Sequence, residues 1–179
     1  MLLAGLLLKI GGCGLYRISY YTSFTGFSFT FTSYLMLSLV FSSLVCCFQS
    51  DFKRLVAYSS VAHIMVVVVS VVLCSSLSIS AFVLIIITHG ITSPILFILV
   101  GITYRMFGTR MLSVYRGLII TSPLLSAFIV LCFALSVPVP PSLAFLGEVQ
   151  FATALVSVYL FSFFILFLFV LIGILYNLL

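Results

Sequence analysis

Between Arg54 and Arg105 the chain has no Asp, Glu, Lys or Arg, and from Gly117 to its last residue it has a single charged side chain, Glu148. The apolar runs inside these stretches are continuous and do not alternate. A bilayer core about 30 Å thick needs about 20 apolar residues per helix, whereas barrel strands would alternate apolar and polar positions. The runs therefore dictate membrane-spanning helices. Composition agrees. Of 179 residues, 65% are hydrophobic and 5% charged, against about 25% charged in soluble chains, and a soluble domain of this size cannot hide so much apolar surface. The expected class is all-α, a polytopic membrane helix bundle.

The runs divide into about six membrane elements in a single membrane domain, 1–179: 2–20, 28–48, 53–75, 79–103, 118–158 and 160–178. The fifth is broken near 137–141, where Pro138, Pro140 and Pro141 remove backbone donors and stop a helix. In lipid such a break survives only when it is buried in protein or lines a wet cavity. The alternative is a loop outside the membrane joining two separate helices. With this count, Lys53, Arg54, Arg105, Arg110 and Arg116 fall on one side and only Arg17 on the other, a positive-inside bias. Asp51, just before the third helix, is placed to cap it. The start, MLLAGLLLKIGG, lacks a basic n-region and a small-residue cleavage site, and reads as a mature helix, not a signal peptide.

The net charge of +5 makes no basic patch or arm, so nucleic acid is not an expected partner. Cys13, Cys46, Cys47, Cys74 and Cys132 form no CxxC and have no His at metal spacing, so they read as apolar fillers and no metal site is expected. There is no P-loop, no GxGxxG, no iron–sulfur cysteine cluster and no axial-histidine pattern. No cofactor is expected on this chain. Abundant Phe without Trp suits a T-rich coding sequence of the kind organelle genomes carry.

Four ionisable residues fall inside the apolar spans: Lys9, His63, His89 and Glu148. A charge at a helix centre costs about 2.5–3.5 kcal/mol on insertion scales, which makes proton or ion handling the default expectation. Glu148 follows Gly147, which leaves room for a partner or water. Lys9, in LLLKIGGCG, is either buried, with Gly11 and Gly12 admitting another helix closely, or snorkels to the headgroups. His63 has Ser59 and Ser60 on its helical face, and His89 has Thr92 and Ser93. These hydroxyls could orient a ring nitrogen or hold a water. Imidazole titrates near neutrality, which suits proton transfer. A structural alternative remains for each residue: a satisfied packing histidine, or an interhelical hydrogen bond from Glu148.

The segments LLAGLLLKIGGCGLYRI, QSDFKRLVAYSSVAHI, ITHGITSPILF and PPSLAFLGEV, in this order, resemble the antiporter-like proton-pumping subunits of mitochondrial NADH:ubiquinone oxidoreductase (respiratory complex I). That family is related to subunits of multisubunit sodium/proton antiporters. The resemblance runs along nearly the whole chain. It implies that Lys9 is the central lysine of the family's eighth helix and Glu148 the acidic residue beside its broken twelfth helix. It also implies that His63 and His89 belong to the hydrophilic axis at mid-membrane, and it favours the broken helix over the external loop. By the same resemblance the expected role is a non-redox, proton-translocating membrane-arm subunit of NADH:ubiquinone reductase. It would sit in the mitochondrial inner membrane, among other membrane-arm subunits and lipids, with quinone reduction occurring elsewhere. The family has about fourteen helices and this chain matches the later part, without the upstream glutamate–lysine pair. The chain is therefore expected to be a fragment of a longer product, a truncated pump, or one that acts with a separate chain supplying those helices, and not to pump alone. Two alternatives stand beside this reading: a sodium/proton antiporter subunit, disfavoured by the few carboxylates available to hold sodium, and a structural membrane-arm fragment.

Overall fold

The computed structural model describes residues 3–22, 29–115, 117–137, 139–140, 142–159 and 162–178; Arg116, Pro138 and Pro141, named above, lie outside them. Among the described residues there are helices and no strands. A π-helical turn, Leu3–Leu7, leads into α1 (Leu8–Thr22); then come α2 (Phe29–Cys47), α3 (Phe52–Leu73) and α4 (Ser76–Phe107). A 3₁₀ turn (Leu112–Tyr115) and the one-turn α5 (Leu118–Thr121) precede α6 (Pro123–Ser136), α7 (Leu143–Val158) and α8 (Ser162–Leu178).

The α3/α4 hairpin sets the level of the centre. Cys74, at φ 48°, ends α3 in the left-handed conformation, and Ser75 begins α4. Ser75 and Ser78 cap each other reciprocally: each side-chain oxygen accepts from the other's backbone N–H, at 3.1 and 2.8 Å. This satisfies donors that a helix start otherwise leaves open. Gly108, at φ 70°, closes the far end of α4 and donates its N–H to Tyr104 O. At 1.5 Å per residue, the 32-residue α4 is about 48 Å long, longer than the hydrocarbon core. It begins before and ends after the expected 79–103, because the serine box and Gly108 set its ends.

α1 lies antiparallel along α4. A Cβ at Gly5 would sit 3.0 Å from Pro94 Cγ, one at Gly90 would sit 3.9 Å from Lys9 Cε, and one at Gly12 would sit 3.4 Å from Ile86 Cδ1. Tyr16 stacks on Phe82 with ring centroids 5.4 Å apart. The close approach expected at Gly11 is not there, since its Cβ would meet nothing within 4 Å. Gly147 is the tight point on α7: a Cβ there would lie 3.0 Å from Ile85 Cγ1 and 3.2 Å from Leu84 Cβ. The room that Gly147 leaves is thus taken up by α4. The main apolar core joins α2, α3, α4, α7 and α8 through Leu39, Ala62, Val66, Ala81, Phe151 and Phe169, all buried.

The fifth expected element is three pieces. It breaks at Ser122, which sequence reading passed over, and again between Ser136 and Leu143. α6 and α7, at 14 and 16 residues, are each shorter than a full span. Leu135, Ser136 and Ala144, which bracket the second break, line one cavity with His63 and His89. Both histidines lie about three to four turns from the hairpin, in the middle of α3 and α4. The facing ends of α6 and α7 therefore lie level with the middle of α3 and α4.

At one end the connections before α3 and after α4 are tied together. Phe52 N–H donates to Arg110 O and Leu112 N–H to Ser50 O, both at 2.9 Å. This puts Lys53, Arg54 and Arg110 at the same end. Asp51 does not cap α3 with its side chain. It pairs instead with Arg54 at 3.2 Å.

Candidate functional site

The four ionisable residues come from four helices: Lys9 from α1, His63 from α3, His89 from α4 and Glu148 from α7. The hairpin brings the two imidazoles together, with ring centroids 5.3 Å apart and planes at 41°. Phe169 of α8 meets the His63 ring edge-on at 6.3 Å. Lys9 Nζ donates to Ser93 Oγ at 3.2 Å, and Ser93 is 2% exposed. Lys9 therefore turns inward to the middle of α4 and does not snorkel.

Two cavities flank the histidine pair. One, of about 360 Å³, is lined by Lys9, His63 and His89 with Gly11, Gly12 and Ile86 among its apolar walls. The other, of about 20 Å³, is lined by Glu148, the same two histidines, Thr88, Thr92 and Ser136. That is room for a single water in a site with enough polar partners to hold it. Lys9 thus lines one cavity, Glu148 the other, and both histidines line both.

The hydroxyls behave differently from expectation. Ser59 Oγ and Ser60 Oγ donate to Val56 O and Ala57 O in their own helix, the usual way a hydroxyl is satisfied inside a helix. They are not seen orienting His63. Ser93 is the partner of Lys9, not of His89. Thr88 and Ser136, which sequence reading did not select, line the Glu148 cavity. Thr88 lies one residue before His89, and only the packing of α6 and α7 on α4 shows that it faces the cavity. Gln150 Oε1, two residues beyond Glu148, is buried with no hydrogen-bond partner among the described residues.

Fold and site together define a multi-pass membrane helix bundle with a broken helix and a file of ionisable side chains through its centre. Residues 1–174 match the family described as NADH:quinone oxidoreductase/Mrp antiporter, TM, and the chain belongs to that family. Among its relatives is the NADH-ubiquinone oxidoreductase chain 4 of Ceratitis capitata, 36% identical over 88% of this chain and 36% of the relative. The protein of the same name from Locusta migratoria is 37% identical over 88% of this chain and 36% of the relative. That of Crotalus lepidus is 33% identical over 87% of this chain and 68% of the relative. The chain spans about a third of the length of the first two.

Proposed function

We propose that the chain forms part of a proton path in the membrane arm of a mitochondrial NADH:ubiquinone oxidoreductase, in the inner membrane, with quinone reduction carried out on other chains. One observation carries this reading: the His63–His89 pair stands between a cavity lined by Lys9 and a cavity lined by Glu148. An imidazole takes a proton at one ring nitrogen and releases it from the other. Two charged rings 5.3 Å apart would repel by about 3 kcal/mol at an effective dielectric of 20, so the pair passes protons singly. Lys9 is the group on one side, Glu148 the exchanger on the other, and a water in the small cavity bridges a histidine to the carboxyl. Moving a charge against 100 mV costs about 2.3 kcal/mol, which the quinone reaction supplies.

Other membrane-arm subunits are the expected partners. The wide Lys9 cavity and the unpaired Gln150 Oε1 are features that neighbouring helices and their donors would complete. Sodium transport is the weaker reading, because Glu148 is the only carboxylate within the apolar spans and a sodium ion needs several oxygen ligands. The test is His89→Leu, with proton uptake per NADH oxidised measured in membranes carrying the assembled complex. Uptake is expected to fall at least about tenfold, within the range that positioned acid–base groups contribute. Normal uptake by an assembled variant would contradict the path.

A further inference from the structure

We propose that Ser93 is the positioning residue for Lys9, holding the amino group at one point against α4 whether or not it carries its extra proton. The inference rests on the reading of Lys9 as a proton carrier and goes beyond it by naming what keeps that carrier in register.

Three observations meet on one turn of α4. Lys9 Nζ donates to Ser93 Oγ at 3.2 Å, and the serine is 2% exposed. The Lys9 stem lies over Gly90, where a Cβ would approach Cε to 3.9 Å. Pro94, inside α4, has no N–H, so the Gly90 carbonyl lacks its usual helical donor. Helical carbonyls point along the axis toward the C-terminus, so this one points at the turn that carries Ser93. The lysine thus crosses α4 where the backbone has a spare acceptor and a buried hydroxyl.

A hydroxyl suits this position because it both donates and accepts. It accepts from the ammonium. When Lys9 is a neutral amine, the hydroxyl donates to the nitrogen lone pair. Alanine could do neither, and a carboxylate would hold only the charged form. Ser59, Ser60 and Ser70 donate to carbonyls of their own helix; Ser93 accepts from a side chain of another. The register is enforced from below by Gly5, which packs on the Pro94 ring four residues before Lys9, with 3.0 Å between its built Cβ and Pro94 Cγ. A π-helical turn places this contact, and such turns recur at functional sites.

The experiment compares Ser93→Ala, Ser93→Cys and Ser93→Thr, with Lys9→Met as control, in membranes carrying the assembled complex. Assembly is read on native gels, and protons moved per NADH oxidised are read as a function of pH. Ser93→Ala and Ser93→Cys are expected to assemble, to lose pumping about threefold or more, and to move the pH profile by about one unit, the scale of a lost hydrogen bond to a charged group. Ser93→Thr keeps the hydroxyl and is expected to restore both. Wild-type pumping with an unmoved profile in Ser93→Ala, while Lys9→Met fails to pump, would overturn the role of Ser93 and leave the relay standing. Wild-type pumping in Lys9→Met would overturn the relay and this inference with it. If Ser93→Ala does not assemble, the nearly isosteric Ser93→Cys decides by the same readout. Loss in all three serine variants would mean that the position needs the serine's shape and not its hydroxyl, which also overturns the proposal.

Discussion

The tetrapeptide ITSP occurs twice, at 91–94 and at 120–123, with opposite results. In the first copy the helix runs on through Pro94 to Phe107. In the second, α5 stops at Thr121, Ser122 adopts φ −148° and ψ 81°, and Pro123 opens α6 as its first residue. Proline disfavours helical backbone in the residue before it, and Ser122 follows that rule while Ser93 does not. The difference lies in what surrounds each copy. Around the first, Gly5 packs on the proline ring and Lys9 bonds the serine. Around the second, Ile119, Ile120 and Leu124 are 71%, 87% and 74% exposed. Tertiary contacts hold a helix through a proline; where they are lacking, the proline breaks it.

The largest effect on this comparison is expected from Gly5→Val. Its Cβ would start 3.0 Å from Pro94 Cγ, and the added methyls should destabilise the fold by about 3 kcal/mol, read as a lower thermal unfolding temperature in detergent. Pro94→Ala is expected to stabilise by about 1–2 kcal/mol, because an interior helical hydrogen bond returns while some packing on Gly5 is lost. It should nonetheless pump less than wild type, since the Gly90 carbonyl regains a donor. Pro123→Ala should change stability by less than about 0.5 kcal/mol in the same melt, because at the first helical position proline displaces no bond. Ser122→Ala should leave pumping unchanged, in contrast to Ser93→Ala. The smallest effect belongs to Asp51→Ala. Its partner Arg54 is 71% exposed, and exposed pairs contribute less than about 1 kcal/mol, so the melt should scarcely move.

The helices were legible because lipid leaves the chain few options. Continuous apolar runs gave the second element over 28–48, and α2 is Phe29–Cys47. Pro140 and its neighbours marked the interruption between α6 and α7. The four ionisable residues stood out because each is costly in an apolar span, and the structure sets Lys9 and Glu148 on opposite sides of the histidine pair. What was not legible depends on register between distant segments. Ser93 was read as a neighbour of His89, because helical spacing shows only its own helix; its bond to Lys9 spans 84 residues. Gly11 and Gly12 drew attention as a pair, yet Gly5 packs more tightly than either, which only the approach of its turn to α4 reveals. The ITSP copies make the same point, since identical local sequence cannot predict two outcomes.

The central claim, that the buried file from Lys9 to Glu148 moves protons, is tested most directly by Glu148→Gln. The amide keeps the carboxyl's shape and most of its hydrogen bonding but cannot take up and release a proton. Proton uptake and NADH oxidation are measured together in membranes carrying the assembled complex. Loss of uptake with assembly intact is the predicted result. Full uptake would contradict it, and would make Glu148 a hydrogen-bonding member of the helix packing.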